Sequence, residues 1–253
     1  MCGRFSLISS AAGLEAFFQL AELERHDPRY NIAPTQPILM VIAGDNRAVP
    51  HGRNMADRRA VLVRWGLLPS WVKDPRDFPL IINARCETAL TKASFRGPMR
   101  HFRTLVPASG FYEWQREGRS RPQPYWVRPR HGGLVAFAGL MDSLLAPDGS
   151  EIDSGAILTT QANETLRPIH HRMPVVIEPE DFERWLDCKT QEPRHVEDLL
   201  KPADPDFFEA IPVSDRVNKV ANMGPELQQQ VEPAPEPGPT NEPEPDDDQM
   251  SLF

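Results

Sequence analysis

Through the first 227 residues, apolar positions fall mostly into short runs interrupted by Pro and Gly, a pattern that predicts many short strands rather than long helices. Seven such runs predict strands: residues 38–43, 60–65, 103–106, 125–128, 134–140, 156–160 and 207–213. Helical spacing is clear in one place near the start, where Leu14, Phe17, Phe18 and Ala21 recur at i, i+3, i+4 and i+7 behind a cap supplied by Ser9 or Ser10. Residues 179–186 predict a second helix, with Pro early and Glu/Asp in the first turn. Residues 194–200 predict another. Many strands with helices to one side, and no regular strand–helix alternation, indicate an α+β fold. No internal repeat and no glycine-rich phosphate loop is present.

Residues 1–227 read as one folded domain, and the pattern stops at Gln228. From there to residue 253 the chain is rich in Pro, Glu and Asp and poor in large apolar side chains, so that stretch predicts a disordered tail. The tail also changes the meaning of the net charge of −8. It carries seven of the 36 acids and no Lys or Arg, which leaves 29 acids against 28 basic residues and a nearly neutral domain. The basic residues are mostly Arg, whose planar fork suits phosphate and stacks on bases. Nine of them between Arg53 and Arg103 could form a local basic groove or a solvated surface. Three scattered cysteines give neither a disulfide framework nor a metal motif, and no cofactor is indicated. The chain has no apolar run of membrane-spanning length and no signal-peptide pattern, which predicts a cytoplasmic monomer.

Candidate chemistry begins at Met1-Cys2-Gly3. Removal of Met1 would give Cys2 a free α-amine beside its own thiol. Such an amine has a pKa near ~8 and is partly unprotonated at neutral pH, so it can attack an aldehyde. The thiol can then close on the imine carbon to give a thiazolidine ring. Three further polar clusters stand out: Asn83 to Thr88 after two isoleucines, Gly110-Phe111-Tyr112-Glu113-Trp114, and Ile169-His170-His171-Arg172-Met173-Pro174. Each has a plain alternative: Asn83 as a turn residue, Glu113 as an ion-paired strand residue, His170 as a structural histidine. The two histidines lack the further ligands a metal would need.

Taken together, these clusters resemble the SRAP (SOS response-associated peptidase) family. The matching blocks are Cys2-Gly3-Arg4-Phe5, Tyr30-Asn31-Ile32-Ala33-Pro34-Thr35, Arg64-Trp65-Gly66-Leu67-Leu68-Pro69-Ser70-Trp71, Asn83-Ala84-Arg85-Cys86-Glu87-Thr88, Gly110-Phe111-Tyr112-Glu113-Trp114, His170-His171-Arg172-Met173-Pro174 and Val213-Ser214-Asp215-Arg216-Val217-Asn218. They occur in the family's order and span almost the whole folded region. The resemblance implies a mixed, largely antiparallel β-barrel-like core with flanking helices. It further implies an abasic-site sensor that crosslinks covalently to single-stranded DNA through Cys2, with lyase and self-processing peptidase side activities. Asn83 would orient the amine, Glu113 would act as general acid–base, and His170 would assist proton transfer. Arg4 and Arg85 would bind phosphate and Trp71 would stack on a base. A Glu beside Tyr112 and Trp114 would be partly desolvated.

The last five residues resemble a different element, the Gln-x-x-Leu-Phe peptide by which bacterial proteins bind the replicative sliding clamp, with Gln249, Leu252 and Phe253 in the contact positions. Two rival readings predict different outcomes. An N-terminal-nucleophile glutamine amidotransferase also begins Met-Cys-Gly, although it continues with an apolar residue and a further Gly where Arg4-Phe5 stand here, and its Arg-Gly-Pro and Asn-Gly blocks are not found in place. A non-enzymatic DNA-binding or clamp adaptor would bind reversibly and in a salt-sensitive way.

Overall fold

The structure, a computed structural model, describes residues 2–20, 23, 25–44, 58–119, 121–146 and 148–233. Met1, Ala21, Arg53 and the whole Gln249–Phe253 peptide lie outside them. Two layers of sheet organise the chain, as the short apolar runs require. The first is a closed barrel of five strands: β3 (Pro37–Ala43), β4 (Arg58–Trp65), β6 (Arg103–Ala108), β9 (Val135–Leu145) and β10 (Glu151–Gln161). Pairing runs β10–β4–β3–β6–β9 and returns from β9 to β10, and only the β10–β4 pair within this ring is parallel. Two short strands dock on β10 outside the ring: β5 (Asn83–Arg85), parallel to it, and β11 (Arg172–Pro174), antiparallel. The second layer is an antiparallel sheet in the order β12 (Phe208–Pro212), β8 (Gln123–Pro129), β7 (Gly110–Gln115), β1 (Phe5–Leu7), β2 (Arg29–Ile32).

Aromatic side chains join the layers. Phe5 of β1 meets Trp65 of β4 edge-to-face at 5.1 Å, and Phe111 of β7 meets Phe137 of β9 at 5.8 Å. The central strand β9 reads as a nearly continuous apolar run because both its faces are covered, with the short helices α3 (Ala93–His101) and α4 (Phe182–Leu186) packed on the β6 and β9 side. The α+β, largely antiparallel barrel expected above is therefore the fold.

Several elements differ from the sequence expectation. Helix α1 spans Ala11–Phe18, capped by Ser10, whose hydroxyl accepts from the Gly13 amide, and it stops where Gln19 turns left-handed at φ 53°. The expected helix at 179–186 divides into a 3-10 turn, Pro179–Asp181, and α4. No α-helix forms at 194–200; two 3-10 turns, Pro193–His195 and Glu197–Leu199, take its place. Pro193 starts the first turn, and the segment is too short to continue into an α-helix. Helix α3 was not foreseen because Gly97 and Pro98 lie inside it. At the C-terminal side, Gln230 bridges to Val213 and the Val231 amide donates to the Pro212 carbonyl, so pairing continues past residue 227.

Candidate active site

The two layers meet along a seam, and four polar side chains from distant parts of the chain converge there. Cys2 lies just ahead of β1 and is buried. Its carbonyl accepts a 2.9 Å hydrogen bond from Asn83 Nδ2. Asn83 opens β5, where pairing opposite Ile157 of β10 holds a residue of low strand preference in an extended conformation. Its other amide atom, Oδ1, is buried and has no hydrogen-bond partner. A buried acceptor left this way costs about 1–3 kcal/mol until a donor reaches it.

Glu113 and His170 form a second pair. Along β7 the side chains alternate: Phe111 and Glu113 face the barrel, whereas Tyr112 and Trp114 pack on the opposite face in a cluster with Val213, Val217 and Leu227. The desolvation of Glu113 therefore comes from burial between the layers, not from Tyr112 and Trp114 beside it in sequence. That burial raises its carboxyl above the usual range. Its Oε1 lies 3.5 Å from Nε2 of His170, in the turn that precedes β11. Burial in turn depresses the His170 imidazole from 6.5 to about 4, so the ring is neutral at physiological pH. Nδ1 is 2.9 Å from the Arg172 amide nitrogen and 3.2 Å from the Arg172 carbonyl. An amide N–H can only donate, which assigns Nδ1 as acceptor and puts the proton on Nε2, directed at Glu113. His171 is exposed and stacks on His170 at 4.4 Å.

The pairs are coupled. Burial and the Glu113 charge together push the Cys2 thiol far up, so it is held as a neutral thiol. The site thus contains a carboxyl that readily holds a proton, a neutral imidazole presenting N–H, and a thiol that needs a base to lose its own. Such opposed displacements suit proton transfer. Among the described residues no group of three His, Cys, Asp or Glu side chains could hold a metal ion. Likewise, no described helix is long and apolar enough to cross a membrane.

The three expected DNA contacts have different surroundings. Arg4 is half-buried, and its Nη1 donates to Asn31 Oδ1 at 2.8 Å and to the Val217 carbonyl at 2.7 Å, which ties the N-terminal strand to the 215–218 turn. Arg85 is exposed at the end of β5 and lines a cleft of about 520 Å³ with Gln161, Arg167, His171 and Arg172. Trp71 is 57 % exposed and meets Phe78 edge-to-face at 5.6 Å, so it is not a core tryptophan. Three of the described arginines between 58 and 103 are engaged elsewhere and add nothing to a shared basic groove. Arg76 pairs with Asp74, Arg100 with Glu192, and Arg103 is buried among the backbone carbonyls of Trp185, Met99, Asp187 and Gln191.

Sequence reasoning did not single out Asn31 or the Glu87–Arg172 pair. Asn31 is buried, with Nδ2 donating to the carbonyls of Val217, Lys219 and Asn222. Glu87 and Arg172 form a two-pronged ion pair beside the site, at 2.5 and 2.9 Å. All three lie inside the family-like blocks, but nothing local in the sequence distinguishes them.

Comparison with known proteins identifies the family. Residues 1–220 match the family described as SOS response associated peptidase (SRAP). The abasic site processing protein YoqW of Bacillus subtilis is 38 % identical over 231 residues, covering 90 % of this chain and 98 % of that protein. The abasic site processing protein YedK of Escherichia coli is 32 % identical over 240 residues, covering 91 % of this chain and all of that protein. A crystal structure of a Bacteroides thetaiotaomicron protein superposes with a TM-score of 0.78 at 26 % identity, covering 91 % of this chain and all of that one.

Proposed function

The chain belongs to the SOS response associated peptidase (SRAP) family, and from that membership we propose that it processes abasic sites in single-stranded DNA by trapping them on Cys2. Relatives named as abasic site processing proteins support the substrate class. The observation that carries the chemistry is the convergence at one seam of Cys2, Asn83, Glu113 and His170, with the Cys2 carbonyl bonded to Asn83 and Glu113 facing His170.

Removal of Met1 makes Cys2 the terminal residue. An abasic deoxyribose opens to an aldehyde at C1′, and Glu113 and His170 shuttle the protons of that opening. The Cys2 amine adds to the carbonyl and water leaves, giving an imine. Asn83 is suited to orient this amine because its buried Oδ1 has no other donor. The imine nitrogen takes up a proton to give the iminium, the thiol sulfur then bonds to its carbon, its own proton passing to the Glu113 carboxylate, and the thiazolidine closes. Ring closure removes the iminium electron sink. If closure is delayed, loss of the C2′ proton breaks the C3′–oxygen bond and cuts the strand, which is the lyase side reaction. The same groups would serve a self-processing peptidase step that exposes Cys2.

Arg4, Arg85 and Trp71 are the proposed DNA contacts; exposed Trp71 offers a stacking surface worth ~1–3 kcal/mol. Gln249, Leu252 and Phe253 would tether a monomer to the sliding clamp through the acidic linker. Deleting them is expected to abolish clamp pull-down and leave crosslinking in vitro unchanged.

Intact mass spectrometry after mixing with abasic single-stranded DNA tests the central step. The expected product is one strand added per protein, with loss of Met1 and one water. Cys2→Ala keeps an amine but no thiol and is expected to give no stable adduct. An equally stable adduct in that variant rules out ring formation, and salt-sensitive binding with no mass change indicates a reversible binder instead.

A further inference from the structure

We infer that Glu87 is a positioning residue for His170, acting through Arg172 to keep the imidazole proton on Nε2. The inference rests on the proposed proton-transfer role of His170 and extends it to residues outside the four that converge on the seam.

Glu87 lies in the short helix α2 (Cys86–Ala89), four residues after Asn83. Its carboxylate receives both ends of the Arg172 guanidinium, Nη1 on Oε1 at 2.5 Å and Nη2 on Oε2 at 2.9 Å. Arg172 Nη2 also donates to the Thr159 carbonyl of β10 at 2.5 Å. The Arg172 side chain is only 8 % exposed, so few alternative positions are open to it. Its backbone begins β11 opposite Gln161, and its amide is the donor that meets His170 Nδ1. An unbroken path therefore runs from the Glu87 carboxylate through Arg172 to His170 and on to Glu113. The segment from Asn83 to Glu87 consequently braces both pairs of the site.

Burying an arginine does not by itself require an acid. Arg103 is fully buried and donates to four backbone carbonyls with no carboxylate within salt-bridge reach among the described residues. What the acid adds at Arg172 is directional anchorage. Two parallel charge-assisted bonds fix the guanidinium in its plane, as a single carbonyl would not. The need for such anchorage is visible at His170. Its Nδ1 has the Arg172 amide at 2.9 Å and the Arg172 carbonyl at 3.2 Å. A small shift of that backbone exchanges a donor for an acceptor and moves the imidazole proton to Nδ1. Nε2 would then turn a lone pair toward the Glu113 carboxylate 3.5 Å away, which disfavours an ionised Glu113. At metal-bound histidines, outer-shell groups that fix the tautomer typically change affinity or activity about 10–100-fold when removed, which sets the scale expected here.

The test combines a signature in the DNA-free protein with a rate. Protein carrying 15N-labelled histidine reports the tautomer of His170 directly, with Glu87→Ala and the isosteric Glu87→Gln compared against the unsubstituted chain. Single-turnover crosslinking to abasic single-stranded DNA gives the rate, and affinity for a strand carrying a tetrahydrofuran analogue, which cannot react, gives binding. Glu87→Ala is expected to shift His170 from Nε2–H to a mixture of tautomers and to slow crosslinking by about tenfold, with little change in analogue affinity. Glu87→Gln, which keeps one acceptor for Arg172, is expected to fall between, and it carries the test if the alanine variant does not fold. An unchanged tautomer in both variants overturns the inference, whatever the rate does. A rate loss matched by an equal loss of analogue affinity also overturns it, because Glu87 would then act on strand binding. If the unsubstituted protein forms no crosslink, the functional reading fails, while the tautomer comparison still decides the role of Glu87.

Discussion

Strands β1, β7 and β8 run between two ends of the molecule, and the two ends treat their polar groups in opposite ways. At the end away from the seam the polar groups of Ser6, Ser109 and Trp126 are paired with one another and with the backbone. The Ser109 amide donates to the Ser6 carbonyl at 2.8 Å, the Ile8 amide to Ser109 Oγ at 3.0 Å, Trp126 Nε1 to Ser6 Oγ at 3.3 Å, and that hydroxyl to the Gly110 carbonyl at 3.3 Å. At the seam end, three residues further along β7, Glu113 is held above its usual pKa; facing it from the barrel side, His170 is held below its own and Asn83 Oδ1 is buried without a partner. Polar atoms are therefore paired where the sheet serves only the fold and left poised where the sheet meets the barrel at the proposed chemistry. The difference separates two properties that substitutions can measure independently, stability at one end and rate at the other.

The largest expected effect comes from Glu113→Gln. Removing a general acid–base of this kind slows the reaction by about 10²–10⁴-fold, read as single-turnover crosslinking. Folding stability at neutral pH should hold or rise, because the native state disfavours the ionised carboxylate and glutamine has no charge to bury. A thermal melt that drops together with the rate would make Glu113 a structural residue and erase the contrast between the ends.

The reciprocal substitution is Gly110→Ala at the far end of β7. A Cβ there would sit 2.6 Å from the Val127 carbonyl oxygen, a backbone atom, and 2.6 Å from Trp126 Nε1. Strand pairing of Phe111 with Val127 prevents the carbonyl from withdrawing. Overpacking of this kind costs about 1–3 kcal/mol, measurable by urea unfolding. Crosslinking per folded molecule should stay close to that of the parent chain. A rate loss larger than the loss of folded protein would mean that strain travels along β7 to Glu113 and that the two ends are not independent.

The legibility of the sequence follows the same division. The barrel strands β3, β4, β6, β9 and β10 were legible because each carries a run of apolar residues long enough to show its character. The strands bearing or flanking the site were not. β1, β5 and β11 are three residues each, too short to display a period, and β5 is strand only because β10 lends it hydrogen bonds. The four site residues themselves were found through their resemblance to a family, since Asn83, Glu113 and His170 each have an ordinary structural reading when met singly. Their partners were harder still. Whether Glu87 touches Arg172 depends on β11 docking beside α2, a contact between residues 85 positions apart that no local pattern encodes. The misplaced desolvation of Glu113 has a simple cause: neighbours in a strand point to opposite faces, so Tyr112 and Trp114 shield the other side of the sheet.

The smallest expected effect concerns acid, and it tests whether the poised seam weakens the fold. His170 has an ordinary pKa of 6.5 and is held at about 4 in the native state. The unfolded chain thus binds a proton across that interval and the folded chain does not. Stability tied to neutral His170 is fully present above pH 6.5 and is lost as the pH falls toward 4. Converted directly, this displacement is about 3 kcal/mol, but the ring is 19 % exposed and solvent screens it, so about 1 kcal/mol is expected. Glu113 acts in the opposite direction, since its raised carboxyl favours the folded state as the pH drops. Glu87 adds a loss at lower pH: Arg172 holds its carboxyl at about 2 against an ordinary 4.5, and that stability disappears only as the pH falls through this lower window. His170→Asn should therefore flatten the stability curve between pH 6.5 and 4 and leave the decline below 4.5 in place, whereas Glu87→Gln should do the reverse. Urea midpoints taken across pH 3–7 separate the two windows. If His170→Asn loses stability with acid as steeply as the parent chain, the cost of holding a neutral imidazole at the seam lies elsewhere in the fold.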